Sequence, residues 1–180
     1  MQSSSYPPSI ARLIERRPSM PLDAGTPDPA VAEQLDSALL ERLFGKEIIR
    51  DRTAARLCLA GLWLLYDHLD ECHSIAQSIE TPDGSYWHAI MHRREGDFSN
   101  SKYWYRRVGD HAIFPDLAAN VRSLVAHPDE LKLSTNLWDP FAFVDLCEEA
   151  IRRRHDALCR QIQMIEWKAL FDHCYRKAVG

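Results

Sequence analysis

Between Gly84 and Gly109 the chain reads GSYWHAIMHRREGDFSNSKYWYRRVG, which gathers two histidines, five Lys or Arg, two acids and six aromatics. At about 100° per residue, a short helix over 85–95 stands His88 and His92 one turn apart, with Glu95 beneath them. Two imidazoles at i, i+4 can reach one ion or one substrate. The pattern HxxxHxxE is not the zinc-protease HExxH, because Ala89 follows His88. A divalent first-row metal on His88 and His92 therefore needs at least one further ligand. Without a metal the same pair can serve as base and acid, with Glu95 fixing an imidazole tautomer from behind.

Just upstream, in YDHLDECHSIAQS, helical spacing puts Asp67, Asp70, Glu71, Ser74 and Gln77 on one arc of about 120°. His73 falls at its edge and His68 on the apolar side. Asp70 and Glu71 are candidates to orient or complete the histidines, and His73 to touch a ligand. The plainer reading is a solvated helix face. Against it, the preceding LCLAGLWLLY is apolar all round, which favours partly desolvated carboxylates with shifted pKa values. TPDG at 81–84 reads as a turn that folds the acidic arc back against the histidines.

Arg93, Arg94, Lys102, Arg106 and Arg107 form a pool of cations for an anionic ligand, Arg as a bidentate clamp and Lys as a point charge. Tyr103 and its aromatic neighbours can stack on a ring or hold the guanidinium groups by cation–π contact. The competing account is internal salt bridging to Glu95 and Asp97.

These groups need a scaffold, and the rest of the chain reads as all-α. No stretch alternates with period two, and there are only seven glycines. Residues 1–29, with six of the ten prolines, read as an extended Pro/Ser-rich arm in which SIARLIERR can form a short helix. Residues 30–180 read as one helical domain, a bundle of five to seven helices. PAVAEQLDSALLERLFG places Val31, Leu35, Leu39, Leu40 and Leu43 at helical spacing, with Gly45 as its stop. A long buried helix follows over 54–79, then 85–95, then the irregular EGDFSNSKY, then PDLAANVRSLVAH ending before Pro128. From Asp139-Pro140 a long helical C-terminus carries Val144, Ile151, Leu158 and Ile165 at heptad spacing, an antiparallel packing stripe. Trp138 and Trp167 read as core. His127, His155 and His173 read as isolated, and Arg152–Arg154 as a solvated face bridging to Glu148 and Glu149.

Composition narrows the function. A net charge of −4 argues against duplex nucleic acid, whose binding rests on phosphate neutralisation, and leaves single-strand binding a distant third reading. No apolar run approaches the roughly 20 residues that a bilayer span needs. The five cysteines are odd in number and form no CxxC pair, which fits a reducing, cytoplasmic setting with thiols as small hydrophobes. Phosphate-loop, GxSxG and Rossmann patterns are absent.

The block DECHSIAQSIETPDGSYWHAIMHRREGDFSNSKYWYRRVG, Asp70 to Gly109, resembles the signature of a family of uncharacterised bacterial and fungal proteins. The resemblance implies that the acidic arc and the histidine stripe act as one unit, and carries no activity with it. The expectation is a His/carboxylate/Arg pocket for hydrolysis or proton transfer on a small anionic metabolite, metal-assisted or not. The alternative is a non-catalytic ligand- or protein-binding module that uses the aromatic/Arg surface of residues 84–109.

Overall fold

The computed structural model describes residues 6–36, 40–124 and 137–180. All ten elements among them are helices: α1 (Pro8–Arg16), α2 (Pro29–Asp36), α3 (Leu40–Phe44), α4 (Arg52–Leu65), α5 (Leu69–Ala76), α6 (Pro82–Glu95), α7 (Phe98–Val108), α8 (Phe114–Leu124), α9 (Pro140–Arg153) and α10 (Ala157–Val179). The all-α reading holds, with more and shorter helices than the five to seven expected. No helix among the described residues is long and apolar enough to cross a membrane.

The differences lie where local pattern misleads. The run expected as one helix over 54–79 breaks at Tyr66–His68, where Asp67 adopts φ 67°. An L-residue in this left-handed region is strained, though Asp tolerates it better than most. Asp67 is held there by its carboxylate, which pairs with Arg94 and Arg17. TPDG starts a helix and does not form a turn. Thr81 is the N-cap, accepting the Gly84 N–H at 3.1 Å, and Pro82 takes the first turn, where its missing N–H costs nothing. Gly96, at φ 81°, ends α6 in a left-handed cap. Asp97 then caps α7 by accepting from Asn100 N, so EGDFSNSKY is mostly helical. The C-terminal stretch likewise breaks, at Arg154 with φ 55°. Of its heptad stripe only Val144 is fully buried, while Ile151, Leu158 and Ile165 pack at the margin of the smaller core.

Other expectations hold. Val31, Leu35, Leu40 and Leu43 are buried, and Gly45 follows α3 at φ 61°. Leu39, Pro128 and His127 lie outside the described residues. Trp138 and Trp167 are core, and Arg152 and Arg153 bridge to Glu148 and Glu149. The extended arm expected over residues 1–29 is not confirmed: the described part begins with the helix α1 and packs on the domain. Ile10 and Leu13 of α1 and Met20 of the irregular 17–28 segment enter the main core.

α6 passes through that core with every residue from Asp83 to Arg94 buried. Arg93 and Arg94 are both 0 % exposed, so neither sits in an anion pool at the surface. Arg93 reaches Glu166 of α10 at 2.5 Å, with Tyr105 and Gln163 beside it. Arg94 turns the other way. It pairs with Asp67 and donates to the carbonyls of Pro21 (3.0 Å), Leu64 (2.7 Å) and Asp23 (3.2 Å). This guanidinium clamps the N-terminal segment, the α4–α5 corner and α6 together. Gly25 lets the segment lie flat on the clamp, since a Cβ there would stand 2.5 Å from the Asp67 carboxyl carbon.

Arg94→Met should therefore cost about 3–5 kcal/mol of unfolding free energy, because it leaves a buried carboxylate underpaired. Urea denaturation reads this directly, and a loss below about 1 kcal/mol would show that the clamp carries little.

Candidate functional site

α5 and α6 lie side by side, joined by the short 77–81 connection. His73 of α5 meets the imidazoles of α6, and Asp70 and Glu71 stay on exposed positions. Glu71 meets His68 at 3.7 Å, and His68 itself is buried, bonded to the Asp28 carbonyl at 2.9 Å. The expected meeting of acids with imidazoles is thus a meeting of three imidazoles.

His73, His88 and His92 each offer a ring nitrogen, and these nitrogens all lie within 4.8 Å of one another. His88 and His92 are stacked with centroids 4.7 Å apart, and His73 stands edge-on to both, at 4.6 Å and 5.4 Å. Trp104 of α7 closes on the His88 ring at 3.8 Å. Glu95 joins as expected, its Oε2 taking the His92 Nδ1 at 2.8 Å. A carboxylate only accepts, so Nδ1 carries the proton and Nε2 the lone pair. That nitrogen lies 3.1 Å from the Asn100 amide nitrogen.

His88 is different. Both of its ring nitrogens are enclosed and neither has a hydrogen-bond partner. Leaving a buried polar atom unpaired costs about 1–3 kcal/mol. Burial first, and then the His92 and His73 imidazoles, hold the His88 pKa down to about 3. Burial also lowers that of His92, against the opposing pull of Glu95. His88 and His92 are thus both held toward the neutral form, the state in which imidazole binds metal.

The remaining cations sit outside this cluster. Lys102 pairs with Asp145. Arg107 is exposed and lies 5.2 Å over Trp104, while Arg106 lies 6.0 Å over Phe141. Tyr103 is exposed, edge-on to Trp104.

A second histidine cluster joins residues distant in sequence, and His173 is part of it and not isolated. Asp83, buried in the first turn of α6, accepts from His111 Nε2 at 2.8 Å and Lys177 Nζ at 2.6 Å, with His173 Nε2 at 3.2 Å. Burial alone would raise the Asp83 carboxyl. The bonds from His111, His173 and Lys177 outweigh it and carry the pKa well below the usual range. One ligand atom each of Asp83, His111 and His173 also lies within 4.8 Å of the other two, yet every one already has a partner. The two clusters thus divide cleanly. The Asp83 group is fully paired and ties α6 to α10, whereas neither ring nitrogen of His88 has a hydrogen-bond partner.

Two pH signatures follow. An unfolded imidazole titrates near 6.5 and folded His88 near 3, so between these values the unfolded chain holds more protons. Metal-free protein should lose a few kcal/mol, order of magnitude, as pH falls through that window. His88→Leu should flatten this dependence and leave stability at pH 7 equal or higher, by urea melts at several pH values. Asp83 contributes in the same direction over a lower pH window. Its stabilisation is complete above the unfolded value of about 3.9 and disappears as pH falls below it. Asp83→Asn should be destabilising at pH 7 and should remove that lower acid limb.

No family model matches the chain, and no curated protein or solved structure matches it either.

Proposed function

We propose that the protein binds one divalent first-row transition metal through His73, His88 and His92, and uses it for hydrolysis or proton transfer on a small anionic molecule. The observation that carries this reading is the pair of enclosed, unpartnered nitrogens on His88, flanked by two further imidazoles. A polar side chain is kept in such a place at a stability cost when something else completes it. Three imidazoles suit Zn²⁺ and its neighbours, and would leave a fourth position open for water or substrate. Bonds of about 2.0–2.1 Å would draw the three nitrogens inward to separations of about 3.4 Å. His73, half-buried, is the one of the three with room to move, and at His92 Nε2 the ion takes the place of the Asn100 amide.

The ion supplies Lewis acidity and acidifies its water toward neutrality. Glu95 sets the proton on His92 Nδ1 and so keeps Nε2 available, the role that outer carboxylates play behind metal-bound histidines. The ion's own charge attracts an anionic group, and Arg107, linked to His88 through the intervening Trp104 ring, is the cation best placed to steer one. A cytoplasmic setting belongs to the same reading, because all five cysteines are free and buried thiols.

A non-catalytic module is the second reading, favoured by Tyr103, Arg106 and Arg107 lying exposed on one helix. Turnover separates the two.

Titration of chelator-treated protein with Zn²⁺ should show one site per chain. Alanine at His73, His88 or His92 should weaken it by about 100-fold or more, and Glu95→Gln by about 10- to 100-fold. p-Nitrophenyl phosphate and p-nitrophenyl acetate test hydrolysis, which should depend on the metal. Undiminished Zn²⁺ binding by the triple alanine variant would sink the metal reading, and metal binding without turnover would favour the module.

A further inference from the structure

A cavity of about 890 Å³ opens between the C-terminal end of α7, the 109–115 segment and the start of α9. Its walls are largely aromatic, from Tyr105, Phe114, Trp138 and Phe141, with Arg106 and His111 among them. That size and that mixture of planar apolar walls with few polar groups are those of a small-molecule site.

Two of the polar groups that lack partners at this wall are donors. Trp138 Nε1 is enclosed with no acceptor, and an indole N–H can only donate. Arg106 is exposed, rests over Phe141, and makes no ion pair among the described residues. The carboxylate of Asp139 at the same wall is already committed, accepting from Phe141 N at 2.9 Å and Ala142 N at 3.1 Å. Asp110 is exposed to solvent. His111 is held by Asp83 through Nε2, so its lone pair sits at Nδ1, where only the 3.4 Å contact from Ile113 N reaches it.

We propose that this cavity is a second binding site, for a small aromatic anion. The ring lies among Phe114, Trp138 and Phe141, and the anionic oxygens take the Trp138 N–H and Arg106. Stacking supplies contact area, and charge-assisted bonds to the two donors supply selectivity for the anion. The cavity shares no lining residue with the His73, His88 and His92 cluster, so it does not rest on the metal reading.

The probe is 1-anilinonaphthalene-8-sulfonate, compared by fluorescence titration with its uncharged counterpart N-phenyl-1-naphthylamine on the full chain. The expected result is one saturable site per chain with a preference of about tenfold or more for the sulfonate, a difference of about 1.4 kcal/mol. Arg106→Gln and Trp138→Phe should each weaken sulfonate binding by about fivefold or more, and Asp110→Asn should tighten it. Arg106 is exposed, so its variant keeps the test valid even where Trp138→Phe disturbs folding. Binding should persist in the triple variant of His73, His88 and His92. Equal affinity for the uncharged probe, no saturable binding, affinity unchanged by Arg106→Gln, or binding abolished in the triple histidine variant would each overturn the proposal.

Discussion

The structure turns on one constraint: a helix rich in polar side chains is buried along nearly its whole length. α6 carries Asp83, His88, His92, Arg93 and Arg94 inside the protein, and each charge or polar atom there must find a partner or cost free energy. Arg93 and Arg94 are adjacent in sequence and so diverge by about 100° around the axis. One anchors to Glu166 on α10, the other to Asp67 and the segment that crosses it. At the start of the helix, Asp83 is tied to His111, His173 and Lys177. With both ends and both sides held, the His88 and His92 rings have a fixed place on α6.

That rigidity gives the unpaired nitrogens of His88 their meaning. A loosely held imidazole would rotate toward water or a neighbouring carbonyl. Here the ring is pressed between Trp104 on α7 and His92, with His73 across from it. The charges on the helix are all paired, and the Glu166 carboxylate alone receives two tyrosine hydroxyls and Arg93, while the Trp87 Nε1 and Arg93 Nε donors, like the His88 nitrogens, have no hydrogen-bond partner. What sets His88 apart from Trp87 and Arg93 is that an imidazole nitrogen can offer a lone pair and lies next to two more potential ligands. An unpaired indole or guanidinium N–H can only donate, whereas three convergent imidazoles form a donor set for a cation.

Much of this was legible in the sequence, and the exceptions have a common cause. The all-helical class, the shared face of His88 and His92, the stacking of Glu95 beneath them and the stop after α3 follow from local spacing, which is what periodicity reports. The α4–α5 break did not, because Asp67 reaches its left-handed conformation without a Gly or Pro to mark it, held by arginines distant in sequence. The placement of Arg93 and Arg94 was hidden for the same reason. An amphipathic helix shows its buried face as an apolar stripe, but α6 is enclosed on every side and shows none. His73 sat at the edge of the acidic arc, and only the exact packing of α5 on α6 decides that it, and neither Asp70 nor Glu71, faces the imidazoles. The Asp83–His111–His173 group joins three separate stretches of chain, a relation that no local spacing carries. Its one visible signal was an acid in the first turn of a helix otherwise destined for the core.

The most direct test of the account is an anomalous difference map, measured at the zinc edge, from crystals of the protein equilibrated with Zn²⁺. The account predicts a single strong peak bonded to one nitrogen each of His73, His88 and His92 at about 2.0–2.1 Å, with the Asn100 amide displaced. A map with no peak among these imidazoles, or with the ion at Asp83, His111 and His173 alone, would contradict it.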